Sequence, residues 1–156
     1  REAEAESRRA RQAAARPAEA RPPEARPPEP RAPDGTRPLP VAGQVLRGFG
    51  SPGDGGPAQG LTLGATAQAR VVTPCAGRVA YAGPFRSYGR LVIVDCGGGE
   101  HVVLAGLDRL DAQGGQRVLA GEPVGTLPGN APARLYMELR RGGAPVDPRP
   151  WLGLRS

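Results

Sequence analysis

Lysine is absent from this 156-residue chain, histidine and tryptophan occur once each, cysteine occurs twice, and aromatic residues make up only 4%. No apolar run approaches the roughly 20 residues that cross a bilayer as a helix, so no segment reads as a transmembrane span. All 21 basic residues are arginine, against 15 acids. They are spread along the chain without interleaved aromatics for base stacking, which argues against a nucleic-acid binder. The surplus of arginine, alanine, glycine and proline reads as the coding bias of a GC-rich genome. An anionic partner surface, a wall polymer or an acidic protein face, stays compatible with the net charge of +6. Glycine and proline are abundant, 24 and 19 residues, and leave few stretches long enough for a helical bundle. The chain begins at Arg1 and shows no apolar signal region, which reads as a fragment whose targeting element lies elsewhere.

Three segments differ in composition. Residues 1–16 are strong helix formers with no glycine or proline. They have nothing larger than alanine as an apolar knob, so they read either as the end of a helical, coiled-coil segment or as a charged tail. Residues 17–40 hold nine prolines in 24 positions, with the partial repeat EARPPEARPPEP. This composition favours extended polyproline II and reads as a linker, with an SH3-type ligand as the sharper alternative.

From residue 41 to 156 short runs rich in valine and leucine alternate with glycine turns: GQVLRGFG, GLTLGA, ARVVTP, GRVAYAG, RLVIVDC, HVVLAGL, QRVLAGEPVGTL and RLYMELRR. This pattern predicts an all-β domain of the sandwich or barrel kind. Arg78–Ala82 and Arg90–Asp95 flank Gly83–Gly89, which predicts a hairpin with a longer loop. In the last strand Leu135, Met137 and Leu139 alternate with Arg134, Tyr136, Glu138 and Arg140, so one face is apolar and core-directed and the other polar. If the hairpin pairs residues whose numbers sum to about 173, Cys96 lies opposite Gly77 and diagonal to Cys75. A Cys75–Cys96 disulfide is then within reach if the sheet twist assists, and metal binding by the two cysteines with His101 is the weaker alternative. Trp151, after two prolines, reads as a packing plug, and His101 as a partly buried sheet residue.

The blocks VVTPCAGRVAYAG, YGRLVIVDCGGG, HVVLAGL, GQRVLAGEPVGTL and RLYMELRRGGAPVDPRPWL, in that order, resemble the LytM-type (lysostaphin-like, peptidase M23) domain. The murein hydrolase activator EnvC-like group is the most similar. The resemblance implies an antiparallel two-sheet fold. Active members of the family cleave peptidoglycan cross-links with a zinc ion held by His, Asp and His, assisted by two further His. Laid over His-x-Gly-φ-Asp-φ, where φ is apolar, the segment Ala58–Leu63 has Ala58 at the His and Thr62 at the Asp position. Tyr-x-His-Leu falls on Leu104–Leu107, with Gly106 at the His. His-Leu-His-Phe-Glu falls on Arg134–Glu138, with Arg134 and Tyr136 at the two His positions. All five positions are replaced, which predicts a pseudo-metallopeptidase with no metal and no cofactor.

For such a domain the resemblance implies recognition rather than hydrolysis. Tyr88, Arg134, Tyr136, Arg140 and Gln59 are the candidate groove contacts. The implied partner is a periplasmic N-acetylmuramoyl-L-alanine amidase that the domain activates at the division septum. The implied membrane partner is the FtsE–FtsX complex, engaged through an upstream coiled coil absent here. An oxidising periplasm favours the disulfide. The alternatives are a peptidoglycan-binding module without an enzymatic partner and, further off, an active murein endopeptidase.

Overall fold

The computed structural model describes residues 37–130 and 132–154. The helical tail over 1–16 and the linker up to residue 36 lie outside the described residues. Eleven strands are found among the described residues: β1 (Gly43–Arg47), β2 (Leu61–Ala65), β3 (Arg70–Val72), β4 (Gly77–Pro84), β5 (Arg90–Gly97), β6 (Glu100–Leu107), β7 (Arg109–Leu110), β8 (Arg117–Val118), β9 (Pro123–Thr126), β10 (Ala133–Arg141) and β11 (Ala144–Val146). Among the described residues one short α-helix, α1 (Pro148–Leu152), follows them. The large sheet runs β1-β2-β10-β6-β5-β4-β8, with β11 added to β10, and the small sheet runs β3-β9-β7. Every pairing is antiparallel. The all-β class expected from the alternating runs and the antiparallel two-sheet fold implied by the resemblance are the ones observed.

Residue alternation decides which way the large sheet faces. Leu61 and Leu63 on β2, Leu135, Met137 and Leu139 on β10, Val102 and Leu104 on β6, and Val92 and Val94 on β5 are all buried. They form one face, and the small sheet contributes Val71 and Val124 to the same core cluster. The residues between them on each strand project to the opposite face. The run QRVLAGEPVGTL does not form one strand: Gly121, at φ 86, turns the chain so that β8 joins the large sheet and β9 the small one.

The β4–β5 hairpin starts in the register read from the sequence, with Arg78 opposite Asp95 and Val79 opposite Val94. A bulge at Ala80 then shifts it, so that Tyr81 faces Ile93. At the open end of the hairpin Cys75 and Cys96 are joined by a disulfide, their Cα atoms 5.7 Å apart. Gly77 is required there, because a Cβ would stand 1.9 Å from the Asp95 carbonyl oxygen.

α1 is built from DPRPWLG. The Asp147 carboxylate accepts from the Arg149 N–H at 3.0 Å, Pro148 opens the first turn, and Gly153 closes the helix at φ 77. Trp151 is buried, and its Nε1 donates to Glu100 at 3.2 Å. Arg37 lies 4.2 Å over the Trp151 ring and donates to its carbonyl at 3.2 Å. Leu39 packs on the core, and the Pro40 carbonyl accepts from Val72 N–H at 2.8 Å. Residues 37–40, part of the proline-rich stretch in sequence, therefore lie against the domain.

Candidate functional site

On the face of the large sheet opposite the core, the strand registers align side chains into transverse rows. Thr62, Tyr136 and Ala105 form one row, and Glu138, Val103, Ile93 and Tyr81 the next. Arg140, His101 and Asp95 form a third. Over these rows stands the β4–β5 loop. Its Arg86–Tyr88 segment is a 3₁₀ turn with Arg86 at φ 48 and Gly89 at φ 70. The turn carries Tyr88 over Tyr136, with ring centroids 5.9 Å apart and planes 27° apart. Phe85 lies 6.3 Å from both Tyr88 and Tyr81. Four of the chain's six aromatic residues, including all three tyrosines, thus form one run beside the sheet. Offset ring pairs of this kind add to the apolar area they present.

Between the loop and the sheet lies a groove of about 330 Å³, lined by Phe85, Tyr88, Leu91, Ile93, Val103 and, at its polar end, His101, Glu138 and Arg140. Glu138 is the node of that polar end. It is buried to 4% exposure, accepts from the Tyr136 hydroxyl at 2.7 Å through one oxygen, and accepts from Arg140 Nε at 2.9 Å through the other. Arg140 Nη1 also donates to the Gly143 carbonyl at 3.1 Å. A buried carboxylate with both oxygens engaged holds its neighbours in fixed rotamers. His101 Nε2 stands 3.8 Å from Asp95 Oδ2 at the groove's end.

Burial, reinforced by the hydrogen bond to Glu138, pushes the Tyr136 phenol well above its ordinary value near 10. The folded chain therefore holds that proton more tightly than the unfolded chain does. The resulting stability is complete below pH 10 and is lost as the pH rises past it. Urea unfolding from about pH 8 to 11 is expected to show stability falling above pH 10 by about 1 kcal/mol per unit more in the wild type than in Tyr136→Phe. Parallel profiles for the two would contradict this assignment.

The structure brings Tyr88 and Arg140 into the lining of this groove, and Tyr136 stands beside it, stacked on Tyr88 and bonded to Glu138. Arg134 shares their face but is exposed, opposite Gly64. It lines a separate shallow hollow with Leu46, Thr66 and Pro132. Gln59 is exposed on the loop entering β2 and is not among the groove's lining residues. Ala58 is held by backbone bonds to Gly50 and Ser51, of 2.7 and 2.8 Å. Thr62 is the cross-strand neighbour of Tyr136. Gly106 adopts φ 98, and a Cβ there would lie 3.1 Å from the Arg134 carbonyl oxygen. Glu138 as the buried node, Phe85 and Tyr81 in the aromatic run, and His101 on the groove wall are additional features of the site.

A zinc site of the family type takes His, Asp, Glu or Cys ligands. The five aligned positions present a methyl, a hydroxyl, a hydrogen, a guanidinium and a phenol. Among the described residues no three His, Cys, Asp or Glu side chains group to hold a metal ion. This donor set does not fit zinc.

Fold and groove together define a lysostaphin-like two-sheet domain. The catalytic domain of lysostaphin from Staphylococcus simulans superposes with a TM-score of 0.63 at 18% identity, over 71% of this chain and 92% of that one. The model of peptidase family M23 matches residues 56–148, and the chain belongs to that family. Murein hydrolase activator EnvC of Escherichia coli is 34% identical over 118 residues, 73% of this chain and 28% of that protein. Protein NMB1333 of Neisseria meningitidis serogroup B is 32% identical over 116 residues, 72% of this chain and 19% of that protein. The chain thus spans less than a third of either relative's length.

Proposed function

We propose that this is a non-catalytic LytM-type domain that binds a periplasmic N-acetylmuramoyl-L-alanine amidase in the Tyr88–Tyr136–Arg140 groove and activates it during cell division. The observation that supports the reading is the grouping of aromatic and arginine side chains at and beside positions aligned with the family's metal ligands. Tyr136 stands at an aligned ligand position, stacked under Tyr88 and tied through Glu138 to Arg140. Aromatic and arginine side chains anchored in a concave apolar patch are the residue types that dominate binding energy at interfaces. The similarity to a murein hydrolase activator supports the same reading. Contact with FtsE–FtsX, in this reading, falls to an upstream coiled coil outside this domain.

The test is release of dye from labelled sacculi by the amidase of the same bacterium, with and without the chain. The wild-type chain is expected to stimulate release. Tyr136→Ala and Arg140→Ala are each expected to weaken amidase binding about thirtyfold, the scale of an interface hot spot, and to lose stimulation while remaining folded. The chain alone, supplied with zinc, is expected to release nothing. Full stimulation by both variants would overturn the groove assignment, and release by the chain alone would overturn the absence of catalysis. Pelleting with sacculi without any effect on amidase would favour a wall-binding module.

A further inference from the structure

The third transverse row of the groove face continues beyond the groove. Asp95 is registered with Arg78 on β4, and Arg78 with Arg117 on the edge strand β8. Val79 and Val118, the next residues on those strands, are buried at 1% exposure, so Arg78 and Arg117 point to the opposite face, the one that carries Ile93, Glu138 and Arg140. Arg117, Arg78, Asp95, His101 and Arg140 therefore form one line across five strands, about 19 Å long at about 4.8 Å per strand. Three arginines stand in it against one aspartate.

Two features of this line have no account in the fold itself. Like charges directly opposite each other on neighbouring strands are destabilising, yet Arg78 and Arg117 face each other. Beyond the backbone pairing of their strands, neither side chain makes a hydrogen bond or ion pair with any described residue. The acid beside Arg78 is committed elsewhere, since Asp95 Oδ1 accepts from Gly97 N–H at 2.9 Å and Oδ2 faces His101. Glu122, close to Arg117 in sequence, accepts from Leu119 N–H at 3.1 Å and from Gln116 at 3.5 Å. Two guanidinium groups are thus left with their donors open on the groove's face, beyond its His101 end and separated from it by Asp95.

We infer that Arg78 and Arg117 are a second anchor on this face, which receives the carboxylates of an acidic segment of the protein partner lying across the strands from the groove. The inference rests on the groove reading for the partner's identity and adds the chemistry that orients it. The apolar groove takes the partner's hydrophobic side chains, and the paired arginines take Asp or Glu side chains further along the same segment. Guanidinium forks bind carboxylates with directional, charge-assisted hydrogen bonds. Exposed cationic rims of this kind act on association rate and salt dependence more than on the hydrophobic anchor.

The experiment is binding of the full chain to the amidase of the same bacterium by biolayer interferometry at about 50 and about 300 mM salt. Arg78→Glu combined with Arg117→Glu is expected to weaken binding about tenfold at the lower salt, with the deficit shrinking at the higher. The corresponding pair of lysine substitutions, which keeps the charge and loses the fork, is expected to keep the wild-type salt response and part of the affinity. Tyr136→Ala, by contrast, is expected to be impaired at both salt concentrations. Thermal melts accompany each variant, and if the glutamate pair does not fold, Arg78→Gln with Arg117→Gln carries the test, with a loss of about threefold. Wild-type affinity and wild-type salt response in the arginine variants, alongside an impaired Tyr136→Ala, would overturn the anchor and leave the groove reading intact. Unimpaired Tyr136→Ala with weakened arginine variants would refute the groove and retain the anchor. Loss of pelleting with sacculi at unchanged amidase affinity would assign the arginines to the wall polymer and overturn the proposal.

Discussion

Replacing Glu138 with alanine is expected to lower the unfolding free energy by about 2 kcal/mol and to abolish amidase stimulation. The carboxylate is 4% exposed and accepts from both Tyr136 and Arg140. Its removal leaves a half-buried phenol and a guanidinium without their acceptor in an apolar setting. Hydrogen bonds to a charged group contribute roughly 1.5–3 kcal/mol each. That figure is discounted here because the Arg140 side chain is 38% exposed and can turn to water. Losing the buried charge also removes its own desolvation cost, which offsets part of the deficit. In a domain of this size about 2 kcal/mol corresponds to a melting temperature roughly 6–10 °C lower. The functional effect is larger, because this one group ties Tyr136 to Arg140, whose remaining contacts are the Tyr88 ring and the Gly143 carbonyl respectively. Glu138→Gln retains an acceptor for Arg140 and a donor for the tyrosine oxygen, and is expected to recover about half of both losses. A Glu138→Ala variant that melts and stimulates like wild type would show that the network orders nothing.

Removing the disulfide is expected to have the larger effect on stability. The bridge closes the open end of the β4–β5 hairpin over a separation of 21 residues. Restricting the unfolded chain by a loop of that length stabilises the fold by about 3 kcal/mol in the chain-entropy account. Cys75→Ala with Cys96→Ala, or reduction of the wild type, should therefore lower the melting temperature by roughly 10 °C or more. The groove should persist in the cross-link's absence, because the hairpin is also held by the β5–β6 pairing and by the core residues Val79, Val92 and Val94. Amidase stimulation well below the new melting point should thus be nearly unchanged. A melting temperature insensitive to reductant would remove the bridge from the list of stabilising features.

Much of this arrangement could be read from residue patterns, and the exceptions have identifiable causes. Alternation along β10 placed Leu135, Met137 and Leu139 in the core and Tyr136, Glu138 and Arg140 on the other face, because side chains in a strand strictly alternate. Alternation assigns a face but not a neighbourhood. Arg134 shares the face of Tyr136, yet it belongs to the hollow beside β1 rather than to the groove. Counting by twos from buried Val79 would send Tyr81 into the core. The bulge at Ala80 inserts one residue and turns Tyr81 onto the groove face opposite Ile93. Phe85 and Tyr88 reach the groove only through the backbone of a five-residue loop, which includes Arg86 at φ 48. The helix α1, by contrast, had local signals in Asp147, Pro148 and Gly153, a stop and start that the strand pattern alone does not bring out.

Most strands, the inward face of β10 and the hairpin register near Cys96 follow from the order of residues, because each depends on near neighbours or on chemical type. The stacking of Tyr88 on Tyr136, the burial of Glu138 between a phenol and a guanidinium, and the line of arginines running out to β8 were decided by the tertiary structure. They join residues that are distant in the chain, and only the pairing of β8, β4, β5, β6 and β10 side by side brings them within reach.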